Sequence, residues 1–199
     1  MFWKRKKDQA KRVPVEEQLR ALAECGLELR DDDACRRTVE EWQPEDLESP
    51  PYDLILTFLG DPYDGDDGRE HPISPGIWHL DTECICGPED YVEAMQRFVT
   101  LTRGDLSLDD ITAHFDDEAW VEFTLAGEKH HWDFEVSDDW IDTSIIDRFE
   151  DLLAKSGSNR RYCVQPGGQD MLLICPTREQ FDRLTQLTAA KFKQLGPAW

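Results

Sequence analysis

Residues 119–142 read AWVEFTLAGEKHHWDFEVSDDWID, and their periodicity decides the kind of fold this chain makes. Val121, Phe123 and Leu125 alternate with Trp120, Glu122 and Thr124. After Ala126-Gly127, His130, Trp132, Phe134 and Val136 alternate with His131, Asp133 and Glu135. A period of two with one apolar and one polar side marks a half-buried antiparallel strand. The Ala-Gly step supplies a tight turn, because glycine takes a positive φ at no steric cost. The stretch therefore reads as a β-hairpin running straight into a helix. One of its faces is packed, and the other is acidic and turned outward.

C-terminal to the hairpin, residues 143–154 place Ile145, Ile146, Phe149, Leu152 and Leu153 on one helical face, ahead of Gly157. Residues 161–165 and 171–175 read as a second hairpin around Pro166-Gly167-Gly168. Thr177 then caps a last helix with Phe181, Leu184, Leu187 and Phe192 on its stripe. Strand–strand–helix thus occurs twice, at 119–156 and 160–195. N-terminal to the hairpin, 105–118 reads as acidic and irregular, 89–101 as a helix opened by Pro88, and 77–85 as a strand. Residues 61–76 form a Pro/Gly/Asp loop that fails the calcium-loop pattern. Counted from Asp64, Arg69 stands where the turn glycine belongs and Pro75 where the bidentate Glu belongs. Residues 52–59 and 15–27 read as helices, and 31–50 as a short helix among loops. The expected architecture is α+β, a mainly antiparallel sheet with helices packed on one face. It forms a single domain over 13–199, preceded by a basic, disordered tail at 1–12.

Charge narrows the partners. The 199 residues carry a formal net charge of −21, a field that repels nucleic acid and anionic membranes and attracts basic proteins. The acidity is concentrated: residues 105–151 hold sixteen acids and two basic residues, whereas 152–199 hold three acids and seven basic residues. The six cysteines include no Cys-x-x-Cys pair. The basic start MFWKRKK is followed by DQAKRVPVEEQ where a secretory signal needs an apolar region, so a cytoplasmic protein with reduced thiols is expected.

Two strand faces carry possible chemistry. His79, Asp81 and Glu83 alternate on one, and His131, Asp133 and Glu135 on another. Were the two strands neighbours, these six side chains would line one open face as a metal-dependent hydrolase requires, and that is the alternative function. No nucleophile elbow and no phosphate-binding glycine loop is present, and no catalytic residue, metal ligand or cofactor is assigned. Aromatic anchors inside a charged rim instead suggest a protein-binding surface made of Trp120, Glu122, His131, Asp133, Glu135, Asp138, Asp139, Trp140 and Asp142.

The segments PYDLILTFLG (51–60), GIWHLDTECI (76–85) with Asp90-Tyr91 shortly after, residues 119–142, and GGQDMLLICPTREQ (167–180) resemble a family of small acidic bacterial proteins of unassigned activity. Such proteins are similar to the immunity partners of polymorphic toxins. The resemblance spans roughly residues 15–195 and brings no catalytic residues with it. It implies a cytosolic inhibitor that covers the active site of a cognate basic toxin, for instance a nuclease.

Overall fold

The computed structural model describes residues 12–199, so the tail expected at 1–12 lies, apart from Arg12, outside the described residues. Four short helices come first: α1 (Val15–Ala23), α2 (Asp33–Glu40), α3 (Pro44–Leu47) and α4 (Leu54–Gly60). A small hairpin, β1 (Pro62–Asp64) with β2 (Glu70–Pro72), leads to β3 (Ile77–Asp81) and α5 (Pro88–Leu101). Next come β4 (Leu108–Phe115), β5 (Ala119–Leu125), β6 (Glu128–Phe134) and α6 (Ser144–Lys155). The chain closes with β7 (Cys163–Pro166), β8 (Asp170–Ile174), α7 (Arg178–Leu187) and β9 (Lys193–Gln194).

The α+β class and the antiparallel pairing are as expected, and so are both strand–strand–helix units, β5-β6-α6 and β7-β8-α7. The strands are divided between two main sheets. One runs β3-β8-β7-β9 and the other β4-β5-β6. Among the described residues, the three-stranded sheet has helices on one face only. The four-stranded sheet is packed on both, which its side-chain alternation explains. Ile77, Leu172, Ile174 and Cys163 point into a core with α1, α4 and α7. Leu80, Leu173 and Cys175 point the other way, into a second core with α5, α6 and the inner face of β5 and β6.

Four aromatic rings carry the second core from one sheet to the other. Trp78 of β3 meets Phe98 of α5 edge-on at 5.3 Å between centroids. Phe98 stacks on Phe149 of α6 at 4.7 Å, and Phe149 meets Trp132 of β6 edge-on at 5.5 Å. Each geometry avoids the repulsive face-to-face sandwich. Tyr162, fully buried, donates its hydroxyl to the Phe98 carbonyl at 2.8 Å and closes the cluster against β7. Phe98 and Phe149 fall on the helical stripes Tyr91/Ala94/Met95/Phe98/Leu101 and Ile145/Ile146/Phe149/Leu152/Leu153, all buried.

Several local expectations are corrected. Residues 105–118 are not irregular: β4 pairs with β5, and a bulge between Asp109 and Thr112 breaks the alternation that would have revealed it. Ile111, Ala113 and Phe115 keep a period of two only beyond the bulge. The 61–76 loop contains the β1–β2 hairpin, which buries Tyr63. The hairpin does not run straight into a helix, since β6 ends at Phe134 and α6 starts at Ser144, and Val136, expected inside, is 37% exposed. Residues 31–50 hold two helices, and α7 stops at Leu187, so that Phe192 is buried from the segment beyond it. Four of the six cysteines are buried as core residues, but Cys84 is only partly covered and Cys86 is exposed.

The second core can be tested at two side chains. Phe149→Ala removes the ring that touches both Phe98 and Trp132, and it should lower unfolding free energy by about 3–5 kcal/mol in urea titration. The other is Glu150, which is 2% exposed. It accepts the Tyr162 amide at 2.8 Å and has Arg161 Nε 3.5 Å away, yet burial pushes its carboxyl up to about 7 from 4.5. The native state therefore holds this proton while the unfolded chain releases it, so stability falls as pH rises from about 4.5 to about 7. Glu150→Gln should flatten stability across that window in denaturation series at successive pH values. An unchanged slope would place the titration elsewhere.

Candidate functional site: the outer face of the three-stranded sheet

The outer face of β4-β5-β6 is built by register. Ala126 and Gly127 both have positive φ (52° and 84°), as a two-residue turn of the mirror-image type requires, and Leu125 lies opposite Glu128. From there Glu122 pairs with His131 and Trp120 with Asp133, while on the other side Trp120 faces His114 and Glu122 faces Thr112. Strand alternation turns all of these away from the core.

The result is an aromatic row. His114 stacks on Trp120 with centroids 5.5 Å apart and planes 21° from parallel, and His131 lies on the other side of Trp120 at 5.5 Å. His131 is then fixed by two carboxylates, with Nδ1 3.1 Å from Glu122 and Nε2 3.0 Å from Asp133. Its pKa is raised from 6.5, first by the hydrogen bond to Asp133 and then by that to Glu122. The rim is acidic: Asp109, Asp110, Asp116, Asp117, Glu118 and Glu128 are all exposed around the row. On the inner side of β6, the Arg148 guanidinium lies 4.9 Å from the Phe134 ring centroid and 5.6 Å from that of Trp132, and it donates to the Asp133 carbonyl at 2.7 Å.

The nine residues singled out in the sequence do not all reach this face. Trp120, Glu122, His131 and Asp133 sit together on it. Glu135, Asp138, Asp139 and Trp140 belong to the loop after β6. There Glu135 and Asp138 are exposed, Asp138 occupies a left-handed conformation at φ 54°, and Trp140 is 38% exposed. Asp139 is partly covered, and its carbonyl accepts the Ile85 amide at 2.9 Å. Asp142 has a structural role instead. Its carboxylate accepts the Glu135 amide and the Ser144 amide, each at 2.9 Å, where α6 begins. Part burial pushes its pKa up, but these amides outweigh it and hold the carboxyl below the usual range. His114 is absent from the sequence reading because the bulge makes its strand look irregular.

The two His/Asp/Glu strand faces are not neighbours, since β3 and β6 lie in different sheets. His79 is held on its own, with Nδ1 2.7 Å from Asp61 and Nε2 2.7 Å from Asp170. Burial pulls its pKa down, but the two carboxylates outweigh this and leave it raised. Gly60 is needed beside it, because a Cβ there would come within 2.5 Å of the His79 amide nitrogen. His79, Asp81, Trp78 and Arg97 line a cavity of about 350 Å³. With both ring nitrogens engaged, His79 has none left for a ligand. Among the described residues, no group of three or more His, Cys, Asp or Glu side chains is arranged to hold a metal ion. No helix among them is long and apolar enough to cross a membrane.

Comparison of the chain with protein-family models, with curated proteins and with solved structures gave no match.

The His131 clamp is directly testable. Glu122→Gln with Asp133→Asn should bring the His131 pKa back toward 6.5, read from imidazole resonances during an NMR titration. A pKa unchanged by both substitutions would mean the carboxylates do not engage the ring.

Proposed function

We propose that this chain is an immunity protein, a cytoplasmic inhibitor that binds a basic bacterial toxin through the outer face of the β4-β5-β6 sheet. The observation that carries the reading is the Trp120 row. A partly exposed indole flanked by two imidazoles lies at the centre of a carboxylate rim, the composition expected of an interface hot spot for a cationic partner. The concentrated acidity would steer a basic protein toward this face and raise the association rate. The groove of a nuclease, built to hold phosphates, would offer its Arg and Lys side chains to Glu122, Asp133, Glu135 and Asp138. The six free cysteines suit a reducing compartment. The alternative hydrolase reading loses its premise, because β3 and β6, which were to bring its two His/Asp/Glu faces together, lie in different sheets.

The experiment is co-expression with the product of an adjacent toxin gene. Wild-type protein should protect the cells and co-purify with the toxin, and absence of both would overturn the proposal. Within the complex, Trp120→Ala should weaken binding at least about tenfold, as hot-spot aromatics do. Reversing Asp133, Glu135 and Asp138 to Lys should slow association about tenfold or more and weaken its salt dependence. Unchanged kinetics would move the interface off this sheet.

A further inference from the structure

We propose that the free edge of β6 pairs with β6 of a second copy of this chain, joining two three-stranded sheets into one six-stranded sheet about a two-fold axis through His131. Strand register carries this, independently of what binds the outer face.

Both outer strands of the sheet are edges, and they differ. On β4 the bulge between Asp109 and Thr112, with Asp110 at φ 52°, breaks the line of main-chain groups and blunts the edge. β6 is paired with β5 without interruption over seven residues, from Glu128 to Phe134. Among the described residues no strand pairs with its outer edge, and a groove of about 560 Å³ with His130, Trp132, Arg148 and Leu152 in its walls runs along its inner side.

The turn fixes which main-chain groups point to that outer edge. In a two-residue hairpin the pair next to the turn, Leu125 and Glu128, is the hydrogen-bonded one, and hydrogen-bonded and open pairs then alternate. The N–H and C=O of Lys129, His131 and Asp133 therefore face away from β5. The Arg148 hydrogen bond to the Asp133 carbonyl is independent confirmation of that direction. An antiparallel mate centred on His131 sets Lys129 opposite Asp133, His131 opposite His131 and Asp133 opposite Lys129. These are the three residues whose main-chain groups face away from β5, so each of these pairs exchanges two hydrogen bonds. A carbonyl accepts two, so Arg148 need not leave Asp133.

The side chains fit the same register. Lys129 is the only Lys or Arg between residues 104 and 147, and it forms no ion pair among the described residues. Asp133 is 85% exposed. The two-fold sets each Lys129 against the mate's Asp133, so this lysine meets a carboxylate in each copy. Directly opposed unlike charges stabilise an antiparallel pair. On the inner side His130 falls opposite the mate's Trp132, an aromatic cross-strand pair above the groove. A register displaced by two residues in either direction loses both Lys129–Asp133 pairs, and the direction that sets Lys129 opposite Glu135 does so beyond the end of β6.

Sedimentation velocity on the full chain tests this, at about 0.15 M salt, where charges more than about 8 Å apart are screened and the net repulsion between copies is reduced. Wild type should move from monomer to dimer along a concentration series. Lys129→Asp and Asp133→Lys, each alone, should be monomeric over the same series, because each sets like charges opposite each other. Their equimolar mixture should dimerise again. In the mixed pair, one chain carries carboxylates at both positions and the other carries ammonium groups at both, so unlike charges meet at both ends of the axis. Circular dichroism of each variant separates lost pairing from lost folding. A wild type that stays monomeric throughout overturns the proposal, and so does a mixture of folded variants that fails to associate.

Discussion

Four rings, Trp78, Phe98, Phe149 and Trp132, join two sheets that share no strand, and the placement of everything else depends on that contact. The four-stranded sheet gets its other face covered by the N-terminal helices and α7. The three-stranded sheet has no second cover among the described residues. It is held from one side through α5 and α6, so its other side is free to carry polar and aromatic side chains without any conflict with burial. Aromatic contacts of this kind dominate core energetics through the area they bury, with the edge-on and offset geometries adding to it.

That one-sided support gives the outer face its character. A residue on β5 that points inward, such as Val121 or Phe123, is packed against the helices, while its neighbours Trp120 and Glu122 face away from the core. Trp120 is kept in place by its cross-strand neighbours His114 and His131. His131 is in turn held by Glu122 and Asp133. A row fixed in this way loses less side-chain freedom when a partner arrives, which favours binding. The loop after β6 brings further carboxylates alongside, with Asp142 anchoring it to the start of α6.

The hairpin at 119–134, both strand–strand–helix units, the helical stripes and the Thr177 cap were legible because each is a local pattern. Thr177 and Gln180 form the reciprocal cap expected of that spacing. What stayed hidden needed long-range information. β4 was masked by a bulge that interrupts its period, and with it went His114 and the full width of the outer face. The His79 clamp draws on Asp61 and Asp170, far apart in the chain, and only the pairing of β3 with β8 brings Asp170 close. The grouping of His79/Asp81/Glu83 with His131/Asp133/Glu135 failed for the same reason, since alternation reveals which residues share a strand face but not which strands are neighbours. Asp142 looked like one more surface acid because nothing in its sequence context announces the two amides it accepts.

A partner that docks on the open face around Trp120 must cover that indole. Hydroxyl-radical footprinting of the tryptophans in the free protein and in its complex with the cognate toxin measures this most directly. Trp120 oxidation should fall sharply on binding, while Trp78, whose ring packs on Phe98, should be unaffected. Equal oxidation of Trp120 in the free and bound protein would contradict the account.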